Sequence, residues 1–176
     1  MNPTLTAREL DRRCVPMSLT IEEVDDATAL AGDLFRRTFA HPIPNFPRHF
    51  VAFSRLADGS SQVAGYIHYS AWEAVGWLCG GLCVDRAAYD RASPADASAW
   101  KRAGGIGEII LRDTFARLTD RLAIFGYCGD TRQWQHDLNV GFVPAGPPRM
   151  LVHWNHEVPA VEQARLIERV AALGPF

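Results

Sequence analysis

Arg102-Ala-Gly-Gly-Ile-Gly107, followed at once by apolar residues at helical spacing, constrains this chain more than any other segment. The first amides of a helix lack partners within the helix and carry the positive end of its dipole. Glycines let that backbone approach a ligand with no Cβ in the way. Together they make an anion site suited to a pyrophosphate. Two other phosphate motifs are excluded. No Gly-Lys-Ser/Thr follows, so the turn is not a P-loop. The strands before it read as antiparallel, whereas a dinucleotide fingerprint opens a βαβ unit.

Hydrophobic periodicity supplies the surroundings. Residues 17–24 alternate as a strand, and Asp25 and Asp26 offer a cap to a helix that carries Leu30, Leu34 and Phe35. Three prolines make 41–47 a loop. Strands follow at 49–56, 63–72 and 76–84, the last two joined through Glu73 as an antiparallel hairpin. Residues 86–100, rich in Ala, Asp and Ser, read as a long loop that leaves Trp100 free to cover a ligand beside the glycine turn. A helix at 108–118, a buried strand at 122–127 and a short helix at 131–139 come next. Short strands at 142–143 and 150–154 precede a last helix at about 158–173, with Val161, Ala164, Ile167, Val170 and Ala171 inward. Residues 1–16 read as an arm and 17–176 as one domain.

Composition narrows the function classes. The 18 basic and 20 acidic residues leave a formal charge of −2, which gives no footprint for nucleic acid or an anionic membrane. Four cysteines are too few for a disulfide scaffold, and no secretory segment opens the sequence, so a cytoplasmic protein with reduced thiols is expected. His153 and His156 lack metal-ligand spacing, and no metal is expected.

The order strand, loop, R-x-x-G-x-G, amphipathic helix, with Gly141-Phe142 beyond a strand and a short helix, resembles the acetyl-CoA-dependent N-acetyltransferases of the GNAT superfamily over roughly residues 17–154. The resemblance implies an α+β fold. Its mixed, mostly antiparallel sheet of six to seven strands has flanking helices and a splay between the two central strands. It also implies transfer of an acetyl group from acetyl-CoA, or another acyl-CoA, to a primary amine of a small molecule or peptide. Free main-chain groups of Leu82, Cys83 and Val84 would pair with the pantetheine arm. Amides of Arg102, Ala103, Gly104, Gly105, Ile106, Gly107 and Glu108 would hold the pyrophosphate. The expected partners are that amine and, through the apolar last strands and helix, a second copy of the chain, with neither nucleic acid nor membrane.

The sequence departs from the family at the proton donor. Many members carry a tyrosine four residues before the Gly-Phe glycine; here that position is Asp137, and no tyrosine follows Tyr127. Tyr127, His136, Asp137 and Glu73 are the candidates for catalytic proton transfer, Glu73 from its place between two strands. The missing tyrosine also keeps open a non-catalytic acyl-CoA-binding or regulatory domain.

Overall fold

The computed structural model describes residues 18–45 and 48–176. The arm at 1–16, Met17 and the end of the proline-rich loop lie outside them. The elements are strand β1 (Leu19–Val24), helix α1 (Thr28–Phe39), strands β2 (Arg48–Arg55), β3 (Ser61–Trp72) and β4 (Gly76–Val84), helices α2 (Ala87–Arg91), α3 (Pro94–Arg102) and α4 (Ile106–Arg117), strand β5 (Ala123–Tyr127), helix α5 (Thr131–Asn139), strands β6 (Val143–Pro144) and β7 (Met150–Trp154), and helix α6 (Ala160–Ala171).

The strands form one seven-stranded sheet in the order β1-β2-β3-β4-β5-β7-β6. Among the described residues, only β4 and β5 run parallel; the other neighbours are antiparallel. The mixed, mostly antiparallel sheet with flanking helices is therefore the observed architecture.

Alternation along the strands sorts side chains onto two faces. Tyr66 and Cys83 pack with Ala31, Leu34 and Phe35 of α1. Phe125, Met150 and Val152 pack under α6 on that same side. Ile67, Tyr69, Trp77 and Ile124 point the other way, against Ile106, Ile109, Ile110, Leu111 and Phe115 of α4. Each such buried side chain contributes about 1.5–3 kcal/mol relative to exposure, so α4 is held firmly and its first turn is fixed in place.

Three sequence readings need correction. Residues 86–100 are not a loop. Asp85 accepts from the Ala87 amide and pairs with Arg91, and Ser93 accepts from the Asp96 amide with Pro94 at the first helical position. Ser93-Pro-Ala-Asp96 is thus a helix start with both cap and proline. Trp100 consequently lies fully buried in α3, edge-on to Tyr89, and covers no ligand. On α6, Val161 is 85% exposed and Ala164 is exposed, while Leu166 and Val170 face the core. Leu30 of α1 is likewise 45% exposed. A stripe at helical spacing shows that a helix has an apolar side, not which members the sheet covers.

Candidate functional site

The glycine turn joins α3 to α4. Gly104 and Gly105 have φ of +94° and +96°, a region that L side chains rarely adopt. The turn closes through the Ala103, Gly104 and Gly105 amides, which donate to carbonyls of Ala99, Lys101 and Trp100. The Ile106 amide donates to the Tyr89 hydroxyl at 2.9 Å. These four amides therefore do not face a ligand as expected. Among the described residues, the Gly107 and Glu108 amides have no protein partner, so they are the pair at the α4 N-terminus open to an anion. Lys101 and Arg102 are exposed beside them.

Glu108 brings a negative charge to the same turn. It is 4% exposed, and its carboxylate lies against Gly104, 2.1 Å from where a Cβ there would sit. One oxygen accepts from Asn139 Nδ2 at 3.0 Å and meets His136 Nδ1 at 2.8 Å; the other lies 3.4 Å from Arg112. The first turn of a helix favours a carboxylate. Glu108 thereby ties α4 to α5. The turn offers a pyrophosphate its two open amides and its cations, with the Glu108 carboxylate packed on Gly104 and tied to α5.

Gly107 sets the turn against the end of β4: a Cβ there would lie 3.6 Å from Leu82 and 3.7 Å from Val84. This is where the sheet opens. β4 pairs with β5 only from Gly76 to Cys79, while its pairing with β3 continues to Val84. The register against β3 slips between Tyr66 and His68, so Gly81 and Leu82 stand opposite one residue, and Gly81 has φ of +62°. Beyond Cys79 the β5 side of β4 is unpaired by that strand. Leu82 and Val84 face α4; Cys83 faces α1, where burial pushes its thiol up to about 12.

Asp137 approaches this opening from α5. It is 7% exposed, accepts from Gln133 Nε2 at 2.7 Å, and interacts with Cys128, just past β5. Its charge also acts on Cys79, the last β4 residue paired to β5, and on Tyr69. Burial raises its pKa, against the hydrogen bond from Gln133. Burial favours the neutral form of this carboxyl beside Cys79, which makes it a candidate proton donor. Burial also lifts the Cys79 thiol well above its usual value and Cys128 to about 11, so neither is a ready nucleophile.

The other sequence candidates are dispersed. His136, beside Asp137 in sequence, is turned to Glu108 and the glycine turn rather than to the gap. Tyr127 ends β5 with its ring 6.3 Å from that of Phe176, on the α6 face. Glu73 lies at the opposite end of β4, in the left-handed turn between β3 and β4, ion-paired with Arg169; its carbonyl accepts from Arg121. A turn placement is legible in sequence, but which end of the hairpin faces the cofactor is set by the crossover to β5. Tyr89 and Glu108's carboxylate escaped the sequence reading, Tyr89 because its segment read as loop. Glu108 carried one signal, an acid in the first turn of a helix.

No family model and no curated protein matches the sequence. Solved structures do. A putative N-acetyltransferase from Lactobacillus plantarum aligns at 12% identity and a TM-score of 0.55, over 79% of this chain and 99% of its own. A GNAT family acetyltransferase from Elizabethkingia anophelis, solved with acetyl-CoA bound, aligns at 12% identity and 0.52, over 78% and 99%. A KacTA–DNA complex contributes a chain at 16% identity and 0.53, over 88% and 98%. That last structure overturns the expected partners, an amine and at most a second copy with neither nucleic acid nor membrane. A chain with this fold is found in a complex with DNA. Net charge averages over a whole surface and says nothing of what a partner chain brings, so it could not exclude nucleic acid. No described helix is long and apolar enough to cross a membrane. The strand order, the single parallel pair and these alignments establish that the chain has the fold of the GNAT acetyltransferases.

Proposed function

We propose that residues 17–176 form an N-acetyltransferase domain that transfers an acetyl group from acetyl-CoA to a primary amine by direct attack in a ternary complex. The observation that carries this reading is the coincidence of two openings: β4 parts from β5 beyond Cys79, and the glycine turn with its Gly107 and Glu108 amides lies against that same stretch. Main-chain groups of Leu82, Cys83 and Val84 would take the pantetheine amides, and the turn, with Lys101 and Arg102, the pyrophosphate. Acetyl-CoA supplies the activated acyl group. The chain holds it in line with the amine, which accounts for much of the acceleration. Asp137 stands where the family's tyrosine would and gives a proton to the departing sulfur. The reading places the protein in the cytoplasm, where acyl-CoA is available.

Partners enter through the KacTA–DNA complex: DNA belongs to the proposal alongside the amine. A second reading, an acyl-CoA-binding domain without turnover, draws on Asp137 standing where the family carries a tyrosine.

The test is calorimetry with acetyl-CoA together with CoA release on primary amines. Binding with release supports the transferase; binding alone across the amines supports the second reading; no binding ends both.

A further inference from the structure

The α1 face of the opening carries an arrangement that the acetyl-transfer reading has not used. The His68 ring lies flat on the β4 bulge: a Cβ at Gly80 would sit 2.7 Å from its Nε2, and one at Gly81 would sit 2.5 Å from its Cε1. Gly81 cannot be replaced without moving both that ring and Phe35, whose Cε2 is equally near. His68 is 9% exposed, and its Nδ1 is buried with no hydrogen-bond partner among the described residues. A buried nitrogen without a partner is costly unless something else uses it. Around it stand Phe35 at 5.7 Å and Tyr66 at 5.8 Å between ring centres, with Phe39 and the exposed His41 towards solvent. Tyr66 is engaged with His49 Nδ1 at 2.7 Å.

We propose that this cluster is the acceptor site and that His68 takes the proton from the attacking amine. The inference rests on the acetyl-transfer reading and adds its base. The ring lies where β4 leaves β5, on the face opposite α4 and Asp137, so acceptor and acyl donor would meet through the gap from opposite sides. Aromatic rings around the entry suit a cationic amine.

The bonds balance as follows. An ammonium gives one proton to His68. The freed nitrogen pair attacks the thioester carbonyl carbon, the C–N bond forms and the C–S bond breaks. The sulfur leaves with a proton from Asp137. The nitrogen's second proton restores Asp137, and His68 releases the first to water.

The surroundings keep His68 ready. Burial, then the charges of His49 and His41, push its pKa down to about 4. The facing groups are Tyr66, raised by burial, Cys83, Thr38 and Arg37 near that thiol, and Asp26 acting on His49. The imidazole is neutral at neutral pH, and the burial that lowers it also lowers an ammonium entering beside it.

The experiment uses acetyl-CoA with lysine methyl ester, spermidine and a glycyl peptide. His68→Gln is expected to lose about 100-fold in kcat at pH 7 with acetyl-CoA affinity unchanged. Wild-type kcat/KM is expected to be flat from pH 5 to 8, whereas in H68Q it should rise tenfold per pH unit towards the amine's own pKa. A merely structural histidine would shift the melting temperature and leave the profile's shape alone. A wild-type-like profile in H68Q overturns this inference and spares the transferase. Wild-type inertness to all three amines, with acetyl-CoA still bound, overturns both. Should H68Q not fold, the wild-type imidazole 15N resonances decide: the His68 signal moves when unacetylated CoA and the amine are added together, and a static signal overturns the proposal.

Discussion

The two halves of β4 are built from similar residues and do opposite jobs. Gly76 to Cys79 is paired on both sides, to β3 and to β5, and is ordinary sheet. Gly80 to Val84 keeps only β3 and holds the bulge, with His68 pressed on one face and the glycine turn on the other. A strand that loses one neighbour exposes main-chain groups that need partners. The lesson is that the opening coincides with two glycines and one extra residue on β4, with His68 of β3 and Asp137 of α5 set beside it.

The largest effect that would break this comparison is at the glycine turn. Gly105→Asp adds a carboxylate to the anion site and a Cβ at φ +96°. Acetyl-CoA affinity should fall at least 100-fold, about 3 kcal/mol, by calorimetry. Unchanged affinity would show that the open half of β4 and the turn do not act together.

Next comes the proposed proton donor. Asp137→Asn should lower kcat by about 100-fold at constant acetyl-CoA affinity. The pH dependence of stability sharpens the point. A carboxyl whose folded pKa is raised binds more protons folded than unfolded, so stability falls as pH rises from its unfolded value through its folded one. In D137N that part of the decline should vanish from melts taken upward from pH 4. An identical decline in variant and wild type would remove Asp137 from the buried site.

The smallest effect concerns the turn amide that a side chain holds. Tyr89→Phe strips the Ile106 amide of its partner and should cost about 1 kcal/mol of stability in denaturant titration. If phosphate takes that amide when the coenzyme binds, saturating acetyl-CoA should recover most of the loss. A loss that persists in full leaves Ile106 outside the coenzyme site.

Much of the fold was legible because local pattern and global fold agree. β4 and α5 match their predicted bounds, and the 72–76 link closes the antiparallel hairpin as read. Where the sequence misleads, composition masks capping chemistry: Ser93-Pro94 is a helix start inside an Ala- and Ser-rich stretch. The candidate site was less legible. His136 and Asp137 are neighbours in sequence, yet a helix turns consecutive residues about 100° apart, sending one to Glu108 and the other to the gap.

By itself the sequence determined the order of elements, the glycine turn ahead of α4 and the absence of a tyrosine at the family's donor position, because periodicity and glycine placement are local properties of the chain. Tertiary structure decided which amides of that turn remain open, where β4 parts from β5 and that His68 lies on the bulge. Those depend on contacts between residues far apart in sequence, such as Tyr89 with Ile106, Glu108 with Asn139 and His68 with Gly81, which no window along the chain contains.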